Sequence, residues 1–341
     1  MHHTITLQPS GEQFVATEGE TILAAARRVG LALACPCSSA ESGSCIAHLI
    51  SGEIRPAALE QAGQPASGQR HAPITVCKAV PATDLSMAIG GTATAASIPR
   101  RKLSVAIADK SLFTPDIVRI RLAPLDGERL ERLPGQYLNV LMPEGERRAF
   151  SIANAPHEGN HIELHVRRIA GGGFTRQLFE DFAPGHRLLI EGPLGSFVPR
   201  EDSNRPLLFI AGGTGFAPIQ ALLEHFLHRG SRRPMTLYWG ARHAADLYQH
   251  TMLRRWTRRF ENFRYVPVLS GPNGPVDWRQ ASVLQAVIQD LPALSAYDVY
   301  FSGPPTMIEA CRIGAIAAGA IPERLFRDAA DTTLAVAASP A

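Results

Sequence analysis

A chain of 341 residues has room for two or three domains, and its apolar (45%) and charged (19%) fractions are ordinary for a soluble globular protein. The net charge of +3 comes with no long basic stripe, which argues against nucleic acid as a partner. No stretch is long and apolar enough to span a membrane, since the best candidate, residues 207–227, is broken by glycines, a proline and charge. No signal-peptide pattern opens the chain. Five cysteines, three of them within 35–45, suit a metal site better than a disulfide framework. A cytoplasmic protein that is not membrane-bound is expected.

Residues 1–90 read as a small β-rich domain. Strand signals lie at 4–7 and 13–15, and a helix is expected over 22–29, with Thr21 able to cap its start and Gly30 suited to its end. A loop rich in glycine and serine follows, from Cys35 to Cys45, and then strand signals at 46–50 and 85–89. The run of small residues from Gly90 to Ser97 has no periodicity and marks a linker over 91–100.

From 101 to 204 the chain shows repeated strand signals, at 103–108, 117–122, 137–142, 150–153, 162–168 and 187–191, with Pro or Gly turns between several of them. That spacing predicts an antiparallel barrel. Arg148-Ala149-Phe150-Ser151 lies in it, on a strand of alternating apolar and polar residues. Arginine suits a phosphate through paired charge-assisted bonds, the phenyl ring offers a flat apolar face, and the serine a small hydrogen-bonding group. Gly171-Gly172-Gly173 then opens a helix near Thr175, and glycines there let backbone N–H groups approach an anion. His161, His165 and His186 are expected to be strand or surface residues, not catalysts.

From 205 to 341 strands alternate with helices. Strands are expected at 207–211, 236–240, 265–269 and 299–302, and helices at about 216–227, 248–260, 283–290 and 306–317. Such alternation predicts a parallel sheet covered on both faces. Gly213-Thr214-Gly215 falls between the first strand and its helix, where a diphosphate-binding loop belongs, although Pro218 replaces the third small residue of the usual fingerprint. The arginine pairs 254–255 and 258–259 read as a solvated helix face.

Two resemblances follow from these motifs. Cys37-x4-Ser42-x2-Cys45, with Cys77 farther on and the Ser51-Gly52-Glu53 turn, resembles the plant-type [2Fe–2S] ferredoxin domain, whose ligands are C-x4-C-x2-C…C. The resemblance makes Cys37, Ser42, Cys45 and Cys77 the metal-ligand positions. Serine is a harder ligand than thiolate and a far weaker acid, so a cluster held by Ser42 should be less stable than one held by four cysteines. Arg148-x-Phe150-Ser151, the glycine turn before Thr175, Gly212 to Pro218, and Ser302-Gly303-Pro304-Pro305-x-Met307, in that order, resemble the ferredoxin–NADP reductase superfamily. With the ferredoxin-like segment, the chain is similar to the fused iron–sulfur flavoreductases that serve ring-hydroxylating oxygenases and deoxysugar synthesis.

The resemblance implies a multidomain fold: an N-terminal β-grasp ferredoxin-like domain (1–90), an FAD-binding antiparallel barrel (101–204) and a parallel α/β nicotinamide-binding domain (205–341). It implies that Arg148 contacts a flavin phosphate, Phe150 packs on the isoalloxazine and Ser151 bonds near the reacting ring nitrogen. Gly172, Gly173 and Thr175 would hold the flavin phosphate, Gly213, Thr214 and Gly215 the dinucleotide diphosphate, and Ser302, Gly303, Pro304 and Met307 the nicotinamide side. Relatives often carry cysteine where Ser302 stands, and an aromatic residue where Ala330 follows Asp328-Ala329. Members using NADPH commonly place Ser-Arg after the third strand of this domain. Here Ser270 is followed by Gly271, which favours NADH, and Arg242 sits after a different strand.

The function implied is electron transfer from NADH through FAD and a [2Fe–2S] cluster, one electron at a time, to a protein acceptor such as an oxygenase or dehydratase component. No general acid–base pair is required, and none is nominated. The alternatives are a cluster-free flavin reductase acting on free flavin or small acceptors, and a redox-inactive binding or sensing module.

Overall fold

The computed structural model describes residues 2–8, 13–29, 46–56, 72–88, 98–125, 127–143, 145–169, 171, 173–201, 203–271, 275 and 278–328. These form two compact units, Met1–Pro99 and Arg100–Ala341. In the first, β1 (His2–Gln8) and β2 (Gln13–Thr17) make an antiparallel hairpin whose alternation sends Ile5, Leu7, Phe14 and Ala16 inward. Helix α1 (Ile22–Arg28) begins at Thr21, whose Oγ1 accepts the Ala24 N–H at 3.3 Å, and covers this face with Ile22, Leu23, Ala25 and Ala26. Strands β3 (Ile46–Ser51), β4 (Ile54–Pro56), β5 (Ala72–Thr75), β6 (Ala79–Pro81) and β7 (Leu85–Ala88) complete the unit. The main sheet runs β2-β1-β7-β3-β5, with β7 parallel to β1, and β4 pairs with β6 apart from it. This is a β-grasp arrangement.

Strands β4, β5 and β6 are additions to the sequence reading. Each is three or four residues long and carries a proline, which removes a ladder donor and hides such strands from pattern reading. The Ser51-Gly52-Glu53 turn requires its glycine: Gly52 has φ +95, and a Cβ there would fall on the Asp84 carbonyl.

The second unit begins with an antiparallel sheet. Its strands are β8 (Arg101–Thr114), β9 (Ile117–Pro124), β10 (Tyr137–Leu141), β11 (Arg147–Ser151), β12 (Ile162–Arg167) and β13 (Arg187–Leu194), in the order β11-β10-β13-β8-β9-β12. An Ile152–Leu164 bridge joins the two ends, so the sheet closes around Val105, Ile107, Ile120, Leu138, Leu164 and Ile190. The strand expected at 150–153 is displaced. It runs Arg147–Ser151, because after Ser151 the backbone leaves the ladder and bonds elsewhere, Ile152 N–H to Gln136 and Ala153 N–H to Glu163. Helix α2 (Gly173–Glu180) plugs one end with Phe174 and Leu178.

The remainder alternates: β14 (Leu207–Gly212), α3 (Phe216–His228), β15 (Met235–Ala241), α4 (His250–Arg259), β16 (Phe263–Leu269), β17 (Arg279–Gln280), α5 (Val283–Asp290), β18 (Asp298–Ser302), α6 (Pro305–Ala317) and β19 (Leu325–Arg327). Every pairing in the sheet β17-β16-β15-β14-β18-β19 is parallel. All six residues of β14 are buried, as a central parallel strand requires. One face packs Phe209, Trp239 and Tyr300 against α3 and α4, and the other packs Ile210, Tyr238 and Phe301 against α5 and α6. The strand order reverses between β14 and β18, and a crevice opens at the carboxyl ends of such strands. The four arginines of α4 are exposed. Among the described residues no helix is long and apolar enough to cross a membrane.

Candidate active site

Strand β11 presents its residues through its register with β10, which pairs Val140 with Arg148, Leu138 with Phe150 and Tyr137 with Ser151. Arg148 is half-buried. One terminal nitrogen reaches Glu146 at 2.6 Å, and its Nε is buried with no hydrogen-bond partner. Phe150 lies partly buried, with its ring 5.5 Å from that of Phe174 at the start of α2. Thr175 is buried and closes the turn before it, its Oγ1 accepting the Ile169 N–H at 3.2 Å. Gly171 holds φ +73, and the space over Gly173 is open. An orphaned guanidinium nitrogen and an open helix start fit a phosphate-bearing cofactor. Gly172 lies outside the described residues.

The dinucleotide loop lies between β14 and α3. Gly213 has φ +54, with nothing within 4 Å of where a Cβ would stand. Its neighbours are closed in. A Cβ at Gly212 would fall on the Met307 sulfur, and one at Gly215 on the Ser302 carbonyl. This packing follows from the pairing of β14 with β18, which sets Ala211 beside Ser302 and brings Gly303, Pro304 and Met307 against the glycine loop. Gly271, at the end of β16, packs against the Arg242 carbonyl, so the two strand ends that carry Arg242 and Ser270 are neighbours.

The two halves meet at Asp328, a residue that sequence reasoning quoted without nominating. Its carboxylate is buried, and one oxygen accepts both the Ser151 hydroxyl (2.7 Å) and the Ser302 hydroxyl (3.2 Å). Its backbone N–H bonds to the Phe301 carbonyl, which continues the β19 alignment. The available signal is an acid directly before Ala329-Ala330, in the segment whose relatives close with an aromatic ring. Tyr137 stands close by, and burial, helped by the Asp328 charge, pushes its phenol above the usual range. Ala330 and the tail beyond it lie outside the described residues.

Of the metal-ligand positions, Cys77 is buried in the turn after β5, while Cys37, Ser42 and Cys45, together with Cys35, lie outside the described residues. Among the described residues no group of three or more His, Cys, Asp or Glu side chains could hold a metal ion.

Outside the expected site, His165 is the strand residue expected of it, on β12, and its side chain is fully buried. Its Nδ1 lies 3.0 Å from the Tyr248 hydroxyl and its Nε2 3.1 Å from Glu163, which also receives Arg121 at 2.9 Å. Burial lowers the imidazole pKa, so it is neutral, with Nε2–H donating to Glu163 and Nδ1 accepting from Tyr248. Burial opposes ionisation of Glu163, but the bonds from His165 and Arg121 outweigh it and hold the carboxyl at about 2.

A closed antiparallel barrel joined to a parallel sheet, with a phosphate-fitting strand in one and a glycine loop in the other, defines a flavin- and nicotinamide-dependent oxidoreductase. The comparisons agree. Residues 104–198 match the oxidoreductase FAD-binding domain, 209–312 the oxidoreductase NAD-binding domain, and 5–82 the 2Fe-2S iron-sulfur cluster binding domain. Protein RfbI of Salmonella typhimurium is 33% identical, with 92% of each chain covered. The CDP-6-deoxy-L-threo-D-glycero-4-hexulose-3-dehydrase reductase of Yersinia pestis is 32% identical over 96% of this chain and 98% of its own. Among solved structures, the Amycolatopsis cytochrome P450 reductase GcoB superposes with a TM-score of 0.67 at 30% identity, covering 95% of this chain and 98% of that one. The chain belongs to the family of reductases that join a 2Fe–2S domain to FAD- and NAD-binding domains, and it is an NAD(P)H-dependent oxidoreductase of electron transfer.

Proposed function

We propose that this reductase hands single electrons to a separate oxygenase or dehydratase component. The proposal rests on relatives over nearly the full length that are named as a dehydrase reductase and, at 29% identity over 96% of this chain, as reductase component 1 of the terephthalate 1,2-dioxygenase of Comamonas sp. We assign residues 1–90 to the cluster, 101–204 to FAD and 205–341 to the nicotinamide dinucleotide. Bound in the barrel, FAD would supply the conversion of two-electron delivery by NADH into single-electron delivery.

The chain's own residues bind and orient. Arg148 holds a flavin phosphate with its uncommitted Nε, and Gly173 with Thr175 shapes the helix start beside it. Phe150 supplies an apolar face and Ser151 a hydroxyl whose direction Asp328 fixes. Gly213, Thr214 and Gly215 admit the diphosphate, and Ser302, Gly303, Pro304 and Met307 wall the nicotinamide side. The observation that carries this site is the single Asp328 oxygen shared by Ser151 and Ser302. It links the flavin strand to the nicotinamide strand, and orienting two reactants is what the reaction asks of the protein. Cys37, Cys45 and Cys77, with Ser42, are proposed to hold the cluster.

Iron and acid-labile sulfide per flavin, measured on protein purified without oxygen, tests the route. About two of each per flavin are expected. Flavin with neither would refute one-electron delivery and leave the NADH-dependent flavin reductase that Ser42 favours.

A further inference from the structure

Trp239 is fully buried on β15, directly beneath the glycine loop. Its ring stacks on Phe216 at 4.1 Å and 20°, and meets Tyr248 edge-on at 5.1 Å and 90°. An indole has one donor, and here that N–H goes to the Gly213 carbonyl at 2.9 Å, which also accepts the Phe216 backbone N–H at the start of α3. In a trans peptide the C=O and the following N–H point in opposite directions. Fixing the Gly213 carbonyl toward the indole therefore aims the Thr214 N–H away from it, out of the protein core.

The surroundings give that direction a purpose. Gly213 is left-handed (φ +54) and Gly215 right-handed (φ −58, ψ −9) at the start of α3, whose first N–H groups have no partner within the helix and suit an anion. The space above Gly213 is open. Rotating the Gly213–Thr214 peptide by half a turn would replace the N–H with a carbonyl oxygen and repel a phosphate. Such a rotation turns ψ of Gly213 and φ of Thr214, and it would break both bonds the Gly213 carbonyl accepts, from Trp239 and from Phe216.

The indole is itself held from the barrel. Tyr248, against its edge, bonds to His165 on β12, which is held by Glu163 and in turn by Arg121 on β9, and Phe113 of β8 stacks on the Tyr248 ring at 4.9 Å. We propose that Trp239 is a positioning residue for dinucleotide binding: its N–H, together with the Phe216 N–H, keeps the Gly213–Thr214 peptide turned so that an N–H faces the diphosphate, and the Tyr248–His165–Glu163 series sets the indole from the flavin barrel. This rests on the reading of Gly213–Gly215 as the diphosphate loop.

The test is Trp239→Phe, which keeps a ring against Phe216 and Tyr248 and removes the donor. Binding of ADP-ribose, which carries the diphosphate without nicotinamide, is measured by calorimetry on flavin-loaded protein, alongside steady-state NADH kinetics with ferricyanide. The Kd for ADP-ribose and the KM for NADH should rise together by about tenfold, the value of one backbone hydrogen bond, while kcat stays within about twofold. Flavin per chain should not change. Unchanged ADP-ribose affinity would overturn the inference, and so would loss of flavin in proportion to loss of affinity, which marks a merely structural tryptophan. Should the variant fail to fold, the indole ¹H–¹⁵N resonance of wild-type Trp239, one of three tryptophans, gives the answer. A shift on adding ADP-ribose supports the inference, and an unmoved resonance overturns it. A wild-type protein that binds neither ADP-ribose nor NADH would instead overturn the dinucleotide reading, and the inference with it.

Discussion

Glu224 ties the nicotinamide helix to the flavin strand in a way that makes stability depend on pH. It lies on α3, where one carboxyl oxygen accepts the Ala155 N–H at 2.8 Å and the other the Gln220 side-chain N–H at 2.9 Å. Burial pushes its carboxyl up to about 7, and Glu158 and Glu163 push in the same direction against those two bonds. Arg132 is also buried, which lowers its own pKa to about 10, and it does not bond to Glu224. Between the ordinary value of 4.5 and about 7, the native state holds a proton that the unfolded chain releases. The native state binds more protons there, so the Glu224 contribution to stability is complete below 4.5 and is lost as pH rises through about 7. The gap corresponds to about 3 kcal/mol as an upper bound, or up to about 10 °C in Tm for a unit of this size.

Glu224→Gln removes the titration and keeps the bonds. Gln220 can turn its amide to present Oε1, which is buried without a partner, to the new NH2 group. Thermal unfolding from pH 5 to 8.5 at fixed ionic strength should show the wild-type Tm falling relative to the variant. His157, His161 and His165, each lowered mainly by burial, contribute the opposite slope, gaining stability as pH rises toward 6.5, but they are present in both proteins and cancel. Parallel Tm curves for the two proteins across that range would refute the reasoning.

Other outcomes follow from the same geometry. Asp328→Ala strands the hydroxyls of Ser151 and Ser302, and kcat/KM for NADH with ferricyanide should fall by about 10- to 100-fold, the worth of one to two bonds to a charged acceptor, with flavin retained; Asp328→Asn should fall between. Gly215→Ala drives a methyl group into the Ser302 carbonyl, backbone that cannot step aside, and should cost about 1–3 kcal/mol in denaturant unfolding, whereas Gly173→Ala meets open space and should cost less than about 1 kcal/mol. Ser42→Cys should raise the iron content per flavin and slow cluster loss in air, read from the visible absorbance, because thiolate is the softer ligand.

The sequence by itself determined whatever depends on near neighbours. Alternation locates the strands around Arg148, the change to strand–helix alternation marks the parallel sheet, and local pattern alone places Gly213-Thr214-Gly215 between a strand and a helix. These signals survive because a β-strand repeats every two residues and a helix every 3.6, whatever lies across from them. Short proline-bearing strands such as Ile54–Pro56 escaped, since three residues are too few to show a period. Only the tertiary structure could decide which side chains meet. Ser151 and Asp328 are 177 residues apart, and His165 and Tyr248 are 83 apart. Their contacts depend on how β11 and β12 of the barrel lie against the carboxyl ends of a sheet formed much later in the chain. No local pattern records that, because the free energy that selects it comes from burying surfaces distant in sequence.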